Sequence, residues 1–184
     1  MACIGNIAAS LKMECGAPSP GFNRIQEAKL LNAADIASFT VGSGSKATIT
    51  RVATKVGYGI TAINNALTLS VGLKSQDIVP GAYDVTITFK HFGTGHSSGV
   101  ASDSSPLGST NLLTRAELVF AVDHGNGVYR VYGLGAPLVC LECTLDSTAD
   151  GYPTFTYGVE DWKVGTTIHT LTKADYDALS TPAT

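Results

Sequence analysis

The most regular hydrophobic–polar pattern in the chain lies at residues 83–90, where apolar and polar residues alternate without a break. The apolar positions are Tyr83, Val85, Ile87 and Phe89, and the polar positions are Asp84, Thr86, Thr88 and Lys90. Because successive side chains of a strand point to opposite faces, this period of two predicts a β-strand with one buried and one solvated face. Leu67–Leu73 shows a similar alternation and predicts another strand.

Further short apolar stretches are separated by turn residues, as is typical of strands. They are Glu27–Leu31, Ala37–Val41, Lys46–Val52, Ala116–Val122, Val128–Gly133, Leu138–Leu145, Pro153–Val159 and Thr166–Leu171. The segment at 24–37 also has apolar residues at helical spacing. We interpret it as two strands, and a helix is the alternative. Asp123–Gly127 predicts a hairpin turn, since glycine and asparagine tolerate positive φ. We expect eight or nine of these segments to form the short strands of a sandwich or barrel.

Three segments of the chain differ from this strand pattern. Residues 1–23 include the Pro- and Gly-rich stretch Cys15–Gly21 and predict an N-terminal arm. Residues 93–114 are rich in Gly, Ser, Thr and Asp with little periodicity, which predicts a long loop. Thr172–Asp175 resembles a capping box, with Asp in place of Glu, and predicts a short helix at about 172–179. The expected organisation is therefore an arm followed by a single β domain at 24–184.

Composition supports this mainly β interpretation. The 184 residues include 20 glycines and 21 threonines, whereas charged residues make up only 15%. Threonine has a stiff, branched Cβ that suits a pleated sheet better than a helix. The net charge of −3 gives no basic patch for gripping nucleic acid. A neutral surface of this kind is suited to contact with other protein chains, so composition favours an assembling β protein.

The four cysteines do not predict a disulfide scaffold. Cys3 and Cys15 lie near the start, far from Cys140 and Cys143, and a secreted framework would be denser. The first 15 residues lack the uninterrupted apolar segment of a signal peptide, and no apolar run approaches the roughly 20 residues of a membrane span. We therefore expect a soluble chain made inside the cell, with reduced thiols and no membrane insertion.

One segment matches a hydrolase motif. Gly95–Gly99 fits G-x-S-x-G and follows a predicted strand. A nucleophile elbow also needs a helix directly after the serine, and Val100–Pro106 does not have a helical sequence. In a stretch so rich in Gly and Ser, a chance match is the better interpretation, so we expect no catalytic residue here.

Other candidate chemistry is weaker still. Cys140 and Cys143 form a lone C-x-x-C without a second ligand pair, and on a regular strand they would face opposite ways. The four histidines, at 91, 96, 124 and 169, form no ligand pair by spacing. Glu160 and Asp161 are adjacent and would point apart, and Gly42–Gly44 lacks the lysine and helix of a phosphate loop. We expect no enzyme activity, metal site or cofactor.

Several motifs, in this order, resemble those of tail tube proteins from bacterial viruses with siphovirus-like tails. In the N-terminal half these are the Leu30-Leu31-x-x-x-Asp35-Ile36 stretch and Ser38–Val41. In the C-terminal half, the hairpin running into Gly127–Leu134 and the strand Thr154–Glu160 resemble two recurring motifs of that family. Asn126-Gly127 stands where the family motif has Asp-Gly. The resemblance covers about two thirds of the chain.

The resemblance implies a mainly β, antiparallel sandwich or barrel with one flanking helix. It further implies that six-membered rings of the chain stack into a tube, through which double-stranded DNA passes without being read. The implied partners are other copies of the chain and tail proteins such as the tape measure and the terminator. The implied location is the virion tail, after synthesis in the cytoplasm of the host bacterium. A protein with a net negative charge suits such a channel, because it makes few attractive contacts with the DNA phosphates and so does not retain the DNA.

Other classes remain open at this point. A head–tail connector, a terminator or a decoration protein would have the same composition. A ligand-binding β-sandwich module, for example for carbohydrate, is the non-viral alternative. Such a module would need a row of exposed aromatic residues, but the chain offers only Trp162 and scattered tyrosines.

Two sets of residues are the predicted contacts between copies. The loop at 93–114 is expected to reach the next ring through Leu107, Leu112 and Leu113, the sizeable apolar residues in or beside its polar stretch. The arm is expected to contact a neighbouring subunit through Ile4, Ile7 and Leu11. Exposed strand edges would form the remaining joints of a ring.

Overall fold

The computed structural model defines the fold over most of the chain. It describes residues 25–53, 55, 57–63, 65–73, 82–90, 115–145, 153–160 and 165–182. Within these ranges lie eleven strands and one α-helix. They are β1 (Glu27–Asn32), β2 (Ile36–Val41), β3 (Ala47–Arg51), β4 (Tyr58–Thr61), β5 (Thr68–Leu73), β6 (Tyr83–Lys90), β7 (Leu118–Asp123), β8 (Tyr129–Tyr132), β9 (Val139–Leu145), β10 (Pro153–Gly158), β11 (Ile168–Leu171) and α1 (Lys173–Ala178).

The strands form two main sheets and one separate hairpin. The five-stranded sheet has the order β11-β8-β7-β1-β4, and the four-stranded sheet has the order β5-β6-β10-β9. Strands β2 and β3 form the hairpin. All pairs between these strands are antiparallel. This confirms the predicted mainly β, antiparallel fold, and the arrangement is consistent with a sandwich.

An aromatic cluster fills the core between the two sheets. Phe89 stacks on Phe155 and Tyr157 with ring centroids 5.7 and 5.9 Å apart, and Phe120 from the facing sheet meets Tyr157 edge-on at 5.6 Å. All four rings are fully buried. The alternation predicted for residues 83–90 is confirmed, since Val85, Ile87 and Phe89 are buried while the residues between them are not.

A second apolar cluster covers the opposite face of the five-stranded sheet. Tyr176 lies in helix α1, and Leu179 directly follows the helix. Both side chains pack with Val119 and Val131 of the sheet. Strand β7 is consequently buried on both faces over Leu118–Val122. Burial on both faces explains why this strand appears in the sequence as a continuous apolar run.

The predicted helix and hairpin turn are both confirmed. The Thr172 hydroxyl accepts a hydrogen bond from the Asp175 backbone N–H, which gives helix α1 the N-cap that its sequence indicates. Between β7 and β8, Gly125, Asn126 and Gly127 all have positive φ. Asp123 Oδ1 accepts from the Gly125 N–H at 2.7 Å, which fixes the turn.

Strand β4 was not predicted from the sequence. Its four residues include Gly59, and among the described strands it pairs with β1 alone, at the edge of the sheet. Ile60 is buried, whereas Gly59 is exposed. A four-residue stretch that contains a glycine is too short to show a hydrophobic period, so long-range pairing with β1 decides its conformation. The other predicted strands agree with the structure to within one or two residues at most ends.

Candidate functional site

The six predicted contact residues lie outside the described part of the chain. They are Ile4, Ile7 and Leu11 in the arm and Leu107, Leu112 and Leu113 in the loop. Other predicted features also lie outside the described residues, and what was predicted for them stays a prediction. They are the loop at 93–114, the G-x-S-x-G segment, Cys3, Cys15, His91, His96 and Trp162. The surfaces that the structure does describe belong to the two sheets and the β2–β3 hairpin.

The outer face of the four-stranded sheet is lined by hydroxyl groups. Its core-facing positions are apolar, so the alternate positions point away from the aromatic cluster. We call the hydroxyl-bearing residues at these positions the hydroxyl face: Thr68, Ser70, Thr86, Thr88, Thr144, Thr154 and Thr156. The strand register places these residues opposite one another on neighbouring strands.

One row of the hydroxyl face runs straight across the sheet. Thr68 is opposite Thr88, Thr88 is opposite Thr156, and Thr156 is opposite Glu142 on β9. The hydroxyls of Thr88 and Thr156 are 3.3 Å apart and hydrogen-bonded. Threonine pairs of this kind stabilise a sheet while leaving a neutral polar surface.

Few charges accompany the hydroxyl face. On β5, β6, β9 and β10, the charged residues at its outward positions are Asp84, Lys90 and Glu142. One positive and two negative groups leave this surface slightly acidic. Such a surface gives no basic track on which a nucleic acid backbone could bind.

Both edges of the four-stranded sheet are open within the described chain. Strand β5 pairs with β6 alone, and β9 pairs with β10 alone. On β9, residues Leu141–Thr144 are exposed, including Leu141 with half of its surface accessible. Unpaired edge strands offer backbone N–H and C=O groups to a strand from another chain.

The β2–β3 hairpin presents apolar side chains to the exterior. Phe39 and Val41 on β2 are exposed, and so is Val52 just after β3. Phe39 borders a shallow cleft of about 410 Å³, to which Ile36, Leu134 and Pro137 also contribute. Exposed apolar groups on one hairpin are typical of a contact surface, although single ones are common on any protein.

The two C-x-x-C cysteines lie on one face of β9, contrary to the expectation from a regular strand. Cys143 is opposite Phe155, Glu142 is opposite Thr156, and Cys140 is opposite Tyr157. Leu141 has no partner of its own in this register and forms a β-bulge. Because the extra residue shifts the alternation of β9 by one position, both thiols point to the same side of the sheet as Phe155 and Tyr157. The sequence shows no signal for this bulge.

Two of the four histidines lie in the described residues. His124 is buried, and its Nε2 is 2.8 Å from the hydroxyl of Tyr132. His169 is half-buried; its Nε2 is 2.9 Å from the Thr167 hydroxyl, while its Nδ1 is buried and has no hydrogen-bond partner among the described residues. Burial lowers the pKa of His169, because it disfavours the charged imidazolium. The two rings belong to different environments and form no pair.

Within the described ranges, no three His, Cys, Asp or Glu side chains are close enough to hold one metal ion. None of their helices is long and apolar enough to cross a membrane. The described features that stand out are therefore surfaces: the hydroxyl face, the open edges and the apolar hairpin.

The signal for the hydroxyl face was present in the sequence. The alternation at residues 83–90 already separates Thr86 and Thr88 from the apolar positions, and Thr154 and Thr156 alternate in the same way on β10. What the sequence does not give is the strand order, which places these threonines side by side.

Comparison of the chain with protein-family models, curated proteins and solved structures finds no match.

Proposed function

We propose that copies of this chain join into rings, and that stacked rings form the tail tube of a bacterial virus, a conduit for DNA. The observation that carries this proposal is the hydroxyl face, which lies between the two open edges of one sheet. The sequence resemblance to tail tube proteins supports the same function.

The open edges supply the joint between copies. When β5 of one copy pairs with β9 of the next, the same head-to-tail contact repeats and closes into a ring. This pairing satisfies backbone groups that would otherwise template uncontrolled aggregation. The bulge at Leu141 makes β9 irregular, so it disfavours indiscriminate strand addition and favours a matched partner. The resemblance implies six copies in each ring.

The hydroxyl face is suited to the interior of such a ring. DNA binds proteins chiefly through Lys and Arg contacts to its phosphates, and each contact adds to the retention of the polymer. This face carries Lys90 against Asp84 and Glu142, so no net attraction accumulates along the tube. Neutral hydroxyl groups keep the surface hydrated and do not bind the DNA phosphates strongly. The DNA would therefore pass without sequence-specific binding.

The partners follow from the same proposal. The chain would contact itself within and between rings, with the loop at 93–114 and the arm at 1–23 providing further contacts. Tape measure and terminator proteins would meet the tube in the virion tail, after assembly in the host cytoplasm. The proposed function involves no catalytic step, cofactor or metal.

A charge placed at an open edge tests the joint. Leu141→Lys adds a positive charge at an exposed position of β9, and Ala174→Lys adds the same charge on the exposed surface of helix α1. Light scattering across a concentration series should show large assemblies for the parent chain and Ala174→Lys. Leu141→Lys should remain folded and small. A parent chain that stays monomeric at high concentration, or a Leu141→Lys variant that assembles normally, would contradict the proposed joint.

A further inference from the structure

The β-bulge in β9 creates a pair of thiols that regular strand geometry would have separated. Cys140 and Cys143 lie opposite Tyr157 and Phe155, which are two positions apart on β10 and face the same way. Both thiols are free, Cys140 half-buried and Cys143 exposed. The pair therefore combines shared orientation with access from solvent.

The spacing of the pair suits a bridging atom better than a disulfide. On one face of a strand, the Cβ atoms of residues two positions apart are separated by about 6.6 Å. The two Cβ atoms of a disulfide are only about 3.8 Å apart. A metal bound linearly between two sulfurs at about 2.3 Å each holds them about 4.6 Å apart. Each sulfur then needs to lean only about 1 Å toward the other. A disulfide would require the backbone of β9 to move.

The surroundings of the pair indicate the kind of ion. No third His, Cys, Asp or Glu side chain within the described ranges completes a site, so a four-coordinate zinc centre lacks its ligands there. The Sγ of Cys140 lies 3.4 Å from the carbonyl oxygen of Glu142, and its side chain packs against the apolar core. Two thiol ligands beside an apolar wall favour a soft ion with a low coordination number.

We propose that Cys140 and Cys143 form a two-coordinate site for a soft monovalent cation of the copper(I) class. On binding, both thiols lose their protons, two metal–sulfur bonds form, and the metal keeps its oxidation state. The product carries one negative charge, and two protons pass to solvent. This site lies on the core-facing side of β9, away from the hydroxyl face, so it does not depend on the proposed tube.

The protonation of the thiols sets a condition on this site. Burial raises the pKa of both cysteines, and the second thiol raises the pKa of Cys140 further. At neutral pH the empty pair is therefore protonated and reacts slowly with oxidants. Copper(I) must displace both protons, so its affinity should increase as the pH rises.

Anaerobic copper(I) titration of the reduced full chain tests the proposal. The parent for the test carries Cys3→Ser and Cys15→Ser, so that only the pair remains, and bathocuproine disulfonate serves as the competing chelator. We expect one copper(I) bound per chain and two protons released per copper. A parent that loses the competition at equimolar chelator, or that releases no protons, would overturn the proposal.

Two further variants separate a true pair from a single reactive thiol. Cys143→Ser changes an exposed residue and should weaken copper(I) binding by about 100-fold or more, because the second linked ligand is lost. Glu142→Cys combined with Cys143→Ser keeps two thiols but places them on opposite faces, so it should bind as weakly. Circular dichroism checks that both variants fold. Binding by the displaced pair as tight as by the parent would show that the shared face is irrelevant and would refute the site.

Discussion

The ammonium group of Lys29 lies 4.1 Å from the centre of the Tyr176 ring and donates a 2.9 Å hydrogen bond to the Tyr176 carbonyl oxygen. Lys29 belongs to β1 and is almost fully buried, whereas Tyr176 belongs to helix α1. A single side chain thus ties the helix to the five-stranded sheet through a cation–π contact and a charge-assisted hydrogen bond.

Replacement of Lys29 should loosen helix α1. Lys29→Ala removes the hydrogen bond, the ring contact and the packed stem, so we expect it to lower the free energy of unfolding by about 2 kcal/mol. Lys29→Met keeps the stem and should cost less. Urea unfolding measures both values. A Lys29→Met variant that is less stable than Lys29→Ala would contradict this account of the contact.

The same residue predicts a pH dependence. Desolvation lowers the pKa of Lys29 in the folded protein below its ordinary value of 10.5. Between the folded and unfolded pKa, the unfolded chain binds more protons, so stability rises with pH across that window. The stability of the parent relative to Lys29→Met should therefore increase as the pH approaches 10.5. If the stability difference between parent and Lys29→Met instead decreased over this range, the pKa of Lys29 would be raised in the folded protein and the prediction would be wrong.

Tyr132 should produce the opposite trend at higher pH. Burial raises its pKa to about 12, from an ordinary value of 10.0. Above pH 10 the unfolded chain loses this proton first, so stability falls as the pH rises from 10 toward about 12. Tyr132→Phe removes this contribution and also the hydroxyl that contacts His124. Unfolding at pH 8 and pH 11 should show the stability gap between parent and variant shrinking; a constant gap would contradict the prediction.

The charge of the hydroxyl face should control how the assembled protein treats DNA. Thr86→Lys with Thr154→Lys adds two positive charges at outward positions of the inner strands β6 and β10, away from the open edges. We expect the assemblies to retain double-stranded DNA in a salt-dependent way, since each phosphate contact steepens the salt dependence. The matched pair Thr86→Glu and Thr154→Glu should not retain DNA. Filter binding across a salt series makes the comparison, and equal retention by both pairs would argue against a DNA-facing surface.

The loop contact remains a prediction from the sequence and is tested separately. Leu112→Ser with Leu113→Ser should leave the subunit folded and stop the growth of tubes, since the two side chains are the expected anchors between rings. Circular dichroism reports folding, and electron microscopy reports tube length. Tubes of normal length would place the contact between rings elsewhere.

The sequence predicted the parts of the fold that depend on local pattern. The alternation around Ile87, the glycines of the 123–127 turn and the cap at Thr172 each follow from neighbouring residues, and the structure confirms all three. Strand β4 was missed because its pairing with β1 is long-range. The strand order was also beyond local pattern, so the hydroxyl face could not be assembled from its separate threonines.

The cysteine pair shows the same limit more sharply. A regular strand puts residues three apart on opposite faces, and that rule was wrong for Cys140 and Cys143 because Leu141 is an unpaired extra residue. A bulge depends on how a neighbouring strand pairs with it, and β10 is a separate segment that follows β9 in the sequence. No residue within β9 marks its position.

The central proposal is that this chain assembles with its hydroxyl face toward an internal channel, and a cryo-electron microscopy reconstruction of the purified protein tests it most directly. The account predicts stacked rings in which β5 of one copy pairs with β9 of the next, with the row from Thr68 through Thr88 to Thr156 lining the channel. A protein that stays monomeric at high concentration, or rings whose channel is lined by any other surface, would contradict it.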